Sequence, residues 1–161
     1  MTRLKTALTA LAFTALSATT AHAGAAADAA KKFFDEYRAQ NVPGMVALFQ
    51  PKGTVEYVPF KLQGPVEKIG PGSWGVLIEA FPNLSNKVHS ITESADGRTA
   101  HVDVNISGTQ TKDVFGVPNK GKSYDLRHMF IIRVDQNGKI TNVTSFWDNA
   151  DWYVQLGKKT L

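Results

Sequence analysis

Residues 100–107 read Ala-His-Val-Asp-Val-Asn-Ile-Ser, with apolar and polar side chains in strict alternation. Successive side chains of a β-strand point to opposite faces, so this stretch predicts a strand with one buried and one polar face. Residues 124–134 and 140–147 predict two further long strands. The first of these is apolar at nearly every position, which predicts that both of its faces are covered. A turn signal at 95–97 (Ala-Asp-Gly) marks a hairpin before the first strand, and one at 135–138 (Asp-Gln-Asn-Gly) separates the last two strands.

Helical patterns dominate the chain before these strands. Residues 25–40 favour a helix, because five alanines precede an apolar stripe of Phe33, Phe34 and Tyr37. The remaining predictions are a short helix through 45–49, a strand at 54–60, a loop at 62–71, a helix at 72–81 and a terminal helix at 148–156. This order predicts an α+β fold, a bent antiparallel sheet closed on one side by helices. Such a sheet encloses a concave pocket, where small ligands usually bind.

Composition excludes several classes of function. The chain has 161 residues, a net charge of +4 and no cysteine, which excludes disulfides, thiol nucleophiles and cysteine zinc sites. Its lysine pairs are scattered, and it has neither a phosphate-loop glycine pattern nor a nucleophile elbow, so we expect no nucleic-acid partner and no serine hydrolase. His89, His101 and His128 lack the spacing of a helical metal pair, so we expect no metal and no cofactor.

The N-terminus has the three parts of a secretory signal peptide. Arg3 and Lys5 form a positive region, 6–18 is a short apolar stretch, and Ala-His-Ala at 21–23 is a cleavage pattern. The apolar stretch is too short to cross roughly 30 Å of hydrocarbon comfortably, which disfavours a membrane anchor. We expect residues 24–161 to form a single exported domain, periplasmic or extracellular, that does not associate with a membrane after cleavage.

Four segments carry a family resemblance. Residues 108–122 read GTQTKDVFGVPNKGK, 135–140 read DQNGKI, 146–148 read FWD and 155–157 read QLG. With this spacing the chain resembles the SnoaL-like, polyketide/ester-cyclase branch of the nuclear-transport-factor-2-like superfamily over roughly residues 30–158. The resemblance implies a cone-shaped α+β barrel, in which a curved antiparallel sheet surrounds a cavity and helices close it.

The resemblance also implies where a catalytic site would lie. Cyclases of this family read Gly-Thr-His-Thr-Gly where this chain has Gln110 in place of the histidine. Their His-Trp-Asp stretch, whose Asp does the acid/base work, falls on 143–145, so the position of the acid is Ser145. A serine hydroxyl cannot transfer protons at pH 7 as a carboxylate of adjusted pKa can. The resemblance therefore implies a pocket that lacks the family's acid.

Two residues are candidates for catalysis. His128 lies in an apolar strand and is the best single base if it faces the cavity, although such a histidine is more often part of a hydrogen-bonded core. Asp148 follows the last strand, but an Asp before a helix more often caps it. His101 and Asp103 share a strand face and would form an acid/base pair only if that face lined the cavity.

A second set of residues is expected to bind a ligand. Aromatic side chains on the elements around the cavity, Phe60 among them, predict an apolar or aromatic ligand, although ordinary core packing also explains each of them singly. The family register adds Ser145, with Gln110 near it. The expected ligand-binding residues are Tyr57, Trp74, Gln110, Phe130, Ser145 and Trp147.

Three functions remain open. The first is an exported protein that binds a small apolar or aromatic molecule. The second is a cyclase, isomerase or dehydratase that uses His128 or Asp148, and the third is a dimeric scaffold without a ligand. We expect a homodimer in each case, because a bent sheet leaves an outer face that isologous pairing commonly buries.

Cleavage is expected after Ala23, because the A-x-A pattern ends there. The intact mass of the exported protein measures the cleavage site directly. A mature chain that still carried Arg3 and Lys5 would contradict this expectation and favour an anchor.

Overall fold

A six-stranded mixed sheet with helices on its inner face makes up the fold. The computed structural model describes residues 24–158, so the expected signal peptide at 1–23 lies outside the described residues. The helices are α1 (Ala25–Arg38), α2 (Val42–Ala47), α3 (Val66–Ile69), α4 (Val76–Ala80) and α5 (Asn149–Gln155). The strands are β1 (Phe49–Tyr57), β2 (Leu62–Pro65), β3 (Ser85–Glu93), β4 (Thr99–Thr109), β5 (Ser123–Val134) and β6 (Ile140–Trp147). A 3₁₀ turn occupies Val58–Phe60 and a π-helical turn occupies Gly70–Gly75.

The strand order is β2-β1-β6-β5-β4-β3, and the sheet is curved and unclosed within residues 24–158. Neighbouring strands are antiparallel except β1 and β6, which pair in parallel. The α+β expectation is confirmed, while a purely antiparallel sheet was wrong at this one pair. The difference arises because β1 enters the sheet early in the chain and the last strand returns beside it.

The predicted loop at 62–71 is wrong in detail. Leu62–Pro65 forms β2, which pairs with β1 from Tyr57↔Leu62 to Thr54↔Pro65, and α3 follows at once. Gly64 and Pro65 favoured a loop, but a short edge strand tolerates both residues, since its outer backbone groups need no partner.

Burial alternates along β4 and β5. In β4, Val102 and Val104 are fully buried, as the period-two pattern predicts. In β5 the even positions are buried or half-buried, whereas Met129 is 42% exposed on the outer face. The expectation that both faces of β5 are covered is therefore wrong for the described part of a single chain. Helix α1 contacts β3, β4 and β5, and its Phe33 packs on Phe130 of the buried face.

An aromatic cluster fixes α1 to the inner face of the sheet. Phe33 is fully buried at its centre. Its ring centroid lies 5.4–6.4 Å from five other rings, those of Phe34, Tyr37, Phe49, Trp74 and Phe130. Edge-to-face aromatic contacts at such distances add stability beyond the burial of their area. The cluster thus joins α1, the π-helical turn, β1 and β5.

Replacing Phe33 with alanine is expected to lower the free energy of unfolding by about 3–5 kcal/mol, because it removes a buried ring and leaves a void. Urea unfolding of both proteins measures the loss. Val154→Ala is the control, since Val154 on α5 is 68% exposed and its loss should change stability by no more than about 0.5 kcal/mol. Equal losses in the two variants would contradict the central role of the cluster.

Candidate functional site

A partly open cavity of about 60 Å³ lies between the inner face of the sheet and the helices. One water needs about 10–15 Å³, whereas an engineered cavity that binds benzene measures about 150 Å³. The cavity therefore suits a small molecule, and an aromatic ring would also occupy its mouth. The lining residues are Tyr37, Tyr57, Phe60, Ser73, Trp74, Leu77, Ile106, Phe115, Tyr124, His128, Phe130, Ser145, Trp147 and Trp152.

Ser145 lies in the cavity wall at the centre of a row that spans three strands. It pairs with Tyr57 of β1 on one side and with Phe130 of β5 on the other. The Ser145 side chain is fully buried, and its Oγ has no hydrogen-bond partner among the described residues. A buried polar atom without a partner costs about 1–3 kcal/mol. A ligand that bonded to this hydroxyl would recover that cost.

His128 presents one ring nitrogen to a ligand. Its Nδ1 lies 2.8 Å from the backbone oxygen of Leu126. Since a carbonyl only accepts, Nδ1 carries the proton and Nε2 is a free acceptor. The ring is flanked by Trp147 and Phe130, with centroids 5.4 and 6.1 Å away. Burial lowers the pKa of His128 to about 4, against the smaller opposing effect of the Leu126 hydrogen bond.

The tyrosines of the cavity are neutral donors. Burial raises the pKa values of Tyr37, Tyr57 and Tyr124. The nearby Tyr37 raises the pKa values of Tyr57 and Tyr124 further. At Tyr57 a side-chain hydrogen bond with Trp74 opposes part of this rise in pKa. No Asp, Glu, Lys or Arg of residues 24–158 lines the cavity. Its hydrogen-bonding groups are therefore uncharged at neutral pH.

Two of the expected site residues lie elsewhere. Gln110 is buried in the turn after β4, where its Nε2 donates to the backbone oxygen of Val117 at 3.1 Å. Asp148 is exposed and caps α5, because its Oδ1 accepts from the backbone N–H groups of Ala150 (2.9 Å) and Asp151 (3.0 Å). Neither residue is among those that line the cavity in the described part of the chain.

The outer face of β4 holds the other acid/base pair considered above. His101 is exposed, and Asp103 forms an ion pair with Arg127, with Nε and Oδ1 2.7 Å apart. Their position follows from the alternation that buries Val102 and Val104 on the inner face. Within residues 24–158, no group of three or more His, Asp or Glu side chains is placed to hold a metal ion.

The structure brings together His128 and five of the expected ligand-binding residues: Tyr57, Trp74, Phe130, Ser145 and Trp147. Sequence reasoning did not assign Tyr37, Ser73, Leu77, Ile106, Phe115, Tyr124 or Trp152 to the site. Phe115 belongs to the segment 108–122 that carries the family resemblance. Its φ of +45°, followed by +72° at Gly116, forms a tight turn at the cavity. Tyr124 shares the even positions of β5 with His128 and Phe130, so strand alternation places it on the same inner face. No local pattern indicated that Tyr37 or Trp152 would line the cavity.

Stability is expected to fall as the pH drops from 6.5 towards 4, because the unfolded His128 binds a proton that the folded protein excludes. The contribution of His128 is complete above pH 6.5 and is lost by about pH 4. Urea unfolding across this range should show a smaller loss of stability in His128→Phe than in wild type. His101→Phe, which removes an exposed histidine, should keep the wild-type dependence. Identical profiles for wild type and His128→Phe would contradict the burial of a neutral imidazole.

Solved structures share this fold at low sequence identity. AclR from Streptomyces galilaeus superimposes with a TM-score of 0.73 at 14% identity, covering 86% of this chain and 99% of AclR. A protein from Jannaschia sp. CCS1 classed as a SnoaL-like polyketide cyclase gives 0.73 at 18% identity, covering 85% and 94% of the two chains. SalBIII, described as epoxide hydrolase/cyclase-like with a role in pyran ring formation in salinomycin, gives 0.66 at 16% identity over 78% and 92%.

Among curated proteins, none matches this chain in sequence. The family model of the SnoaL-like polyketide cyclases matches residues 73–156, just over half of the chain. This range covers the π-helical turn from Ser73, strands β3 to β6 and helix α5, and it includes His128 and Ser145. Family membership supports a ligand-binding or cyclase-type role for the cavity. The chain belongs to the SnoaL-like polyketide cyclase family.

Proposed function

We propose that this protein is exported and binds one small, neutral, apolar or aromatic molecule in its cavity, without the acid that the family's cyclases use. One observation carries the proposal: the hydroxyl of Ser145 is fully buried in an aromatic wall and has no partner among the described residues. Buried polar groups are normally hydrogen-bonded, so such an exception calls for a partner. A bound molecule that offers a polar atom supplies one.

The cavity wall favours a neutral ligand. Most of the lining side chains are aromatic or aliphatic, and the polar ones are phenols, serines and one neutral imidazole. Moving an ion into such surroundings without an opposite charge is strongly unfavourable. Apolar contact would supply the affinity, at about 25 cal/mol per Å² buried, and the few polar groups would set orientation.

The position of the family's acid supports binding rather than the family's cyclisation. Ser145 occupies that position, and a neutral hydroxyl orients a ligand but does not exchange protons near pH 7. Asp148, the carboxylate nearest to it along the chain, is engaged at the N-terminus of α5.

An enzyme that uses His128 as its base is the second proposal. Its support is Nε2, an unprotonated nitrogen on a cavity-lining side chain. Proton transfer is most effective when the base has a pKa near the working pH, and a pKa of about 4 makes His128 a weak base there. Because the ring is neutral at that pH, Nε2 still accepts hydrogen bonds, which again favours binding.

Export and dimerisation belong to the proposal as separate parts. Export rests on the pattern of residues 1–23 alone. A homodimer through the outer face of the sheet is supported by the exposure of Met129 and Phe146, at 42% and 38%.

Binding is testable through the protein's own fluorescence, because all three tryptophans of the chain, Trp74, Trp147 and Trp152, line the cavity. Acetophenone, a small neutral aromatic quencher, should quench wild type in a saturable manner. Ser73→Leu places a larger side chain in the cavity and should weaken this quenching strongly. Ser107→Leu, on the outer face of β4, is the matched control and should behave as wild type.

Quenching that rises linearly without saturation, and equally in Ser73→Leu, would contradict a binding cavity. Native mass spectrometry of protein purified from its own host, with a co-purifying small molecule, would identify the natural ligand.

A further inference from the structure

We infer that the ligand is a neutral, single-ring compound with a hydroxyl at one end, which donates to Nε2 of His128, and a carbonyl-type acceptor at the other, which accepts from the hydroxyl of Ser145. This inference rests on the proposed function and adds the chemical class of the ligand. Its three supports are the tautomer of His128, the unpartnered hydroxyl of Ser145 and the separation of these two residues across the sheet.

The hydrogen bond to Leu126 makes His128 an acceptor. Nδ1–H donates to the backbone oxygen of Leu126 at 2.8 Å, which fixes both the ring orientation and the tautomer. Nε2 then offers a lone pair and no proton. A ligand group that satisfies it must carry a donor, and in a neutral ring compound that donor is a hydroxyl or an N–H. We choose the hydroxyl because it is the smaller donor, and the Trp147 and Phe130 rings lie close to the imidazole, with centroids 5.4 and 6.1 Å away.

The hydroxyl of Ser145 is the second polar contact, and tyrosine phenols line the same cavity. The hydroxyl of Ser145 has no partner among the described residues, and its cross-strand neighbour Tyr57 carries a phenol that burial keeps protonated. Tyr37 adds a second protonated phenol to the same cavity. A ligand carbonyl oxygen accepts from the Ser145 hydroxyl, and we assign this contact to Ser145 because its hydroxyl has no other partner among the described residues.

Strand register sets the size of the ligand. His128 pairs with Trp147 and Phe130 pairs with Ser145, so His128 and Ser145 are diagonal neighbours on the inner face of β5 and β6. Diagonal neighbours in an antiparallel pair are roughly 7–8 Å apart. The two residue positions are thus about one aromatic ring apart, so a ligand that contacts both needs no more than one ring. The cavity of about 60 Å³ is smaller than the roughly 150 Å³ that binds benzene, so a single ring already extends into the open mouth.

Three probes of similar size separate the two contacts. 4-Hydroxyacetophenone has both groups, 4-methoxyacetophenone lacks the donor, and 4-ethylphenol lacks the carbonyl. Calorimetric titration at neutral pH should show the first binding wild type about 2–10-fold more tightly than each of the others, the ratio that one hydrogen bond supplies.

Two variants assign the contacts. His128→Phe should abolish the preference for hydroxyl over methoxy and keep the preference for acetyl over ethyl. Ser145→Ala should do the reverse, and it should fold normally because its hydroxyl has no internal partner to lose among the described residues. His101→Phe and Ser107→Ala, both on the outer face of β4, are the matched controls and should keep both preferences.

The other possible results distinguish a failure of this inference from a failure of the proposed function. Wild type that binds all three probes equally would overturn this inference and leave the proposed function standing. A preference for hydroxyl that survives in a folded His128→Phe, or a preference for acetyl that survives in Ser145→Ala, would also overturn it. If no probe binds wild type, the proposed function fails, and the inference fails with it.

Discussion

The parallel pairing of β1 with β6 is the constraint on which the cavity depends. It places Tyr57 beside Ser145, which on its other side pairs with Phe130. The pairing brings Tyr57, from the first strand, to two side chains of the last two strands, and the Phe33 cluster then fixes α1 over the same face through Phe130. Because β1 and β6 share an inner face, a polar hydroxyl and an aromatic wall line one cavity.

Enclosure also determines the charge of the site. Burial disfavours the charged form of every titratable group, so it raises the pKa values of Tyr37, Tyr57 and Tyr124 and lowers the pKa of His128. The same physical cause therefore keeps the phenols of the cavity and the imidazole of His128 neutral. In a SnoaL-like chain with serine at the position of the family's acid, these groups are suited to recognising a molecule. They are less suited to moving its protons.

Local patterns predicted the elements but not every contact. The alternation at 100–107 predicted β4 and its inner face, and the family register implied that Ser145 would face the cavity, where the structure places it. The apolar run of β5 led to the wrong prediction that both of its faces are covered. Composition alone does not distinguish a covered face from the exposed outer face that carries Met129. Tyr37 and Trp152 reach the site through tertiary packing of α1 and α5, which no local periodicity encodes. For Asp148, by contrast, the local pattern was sufficient. An Asp before a helix more often caps it than catalyses, and Asp148 caps α5.

The most direct test of the account is the ¹⁵N NMR spectrum of the His128 imidazole at neutral pH, assigned by comparison with His128→Phe. We expect a neutral ring with a protonated Nδ1 and an unprotonated Nε2. Addition of 4-hydroxyacetophenone should shift the Nε2 resonance in the direction of hydrogen-bond acceptance and leave Nδ1 nearly unchanged. An imidazolium ring, a proton on Nε2, or an Nε2 resonance that the bound probe does not move would contradict a cavity that recognises its ligand through uncharged groups.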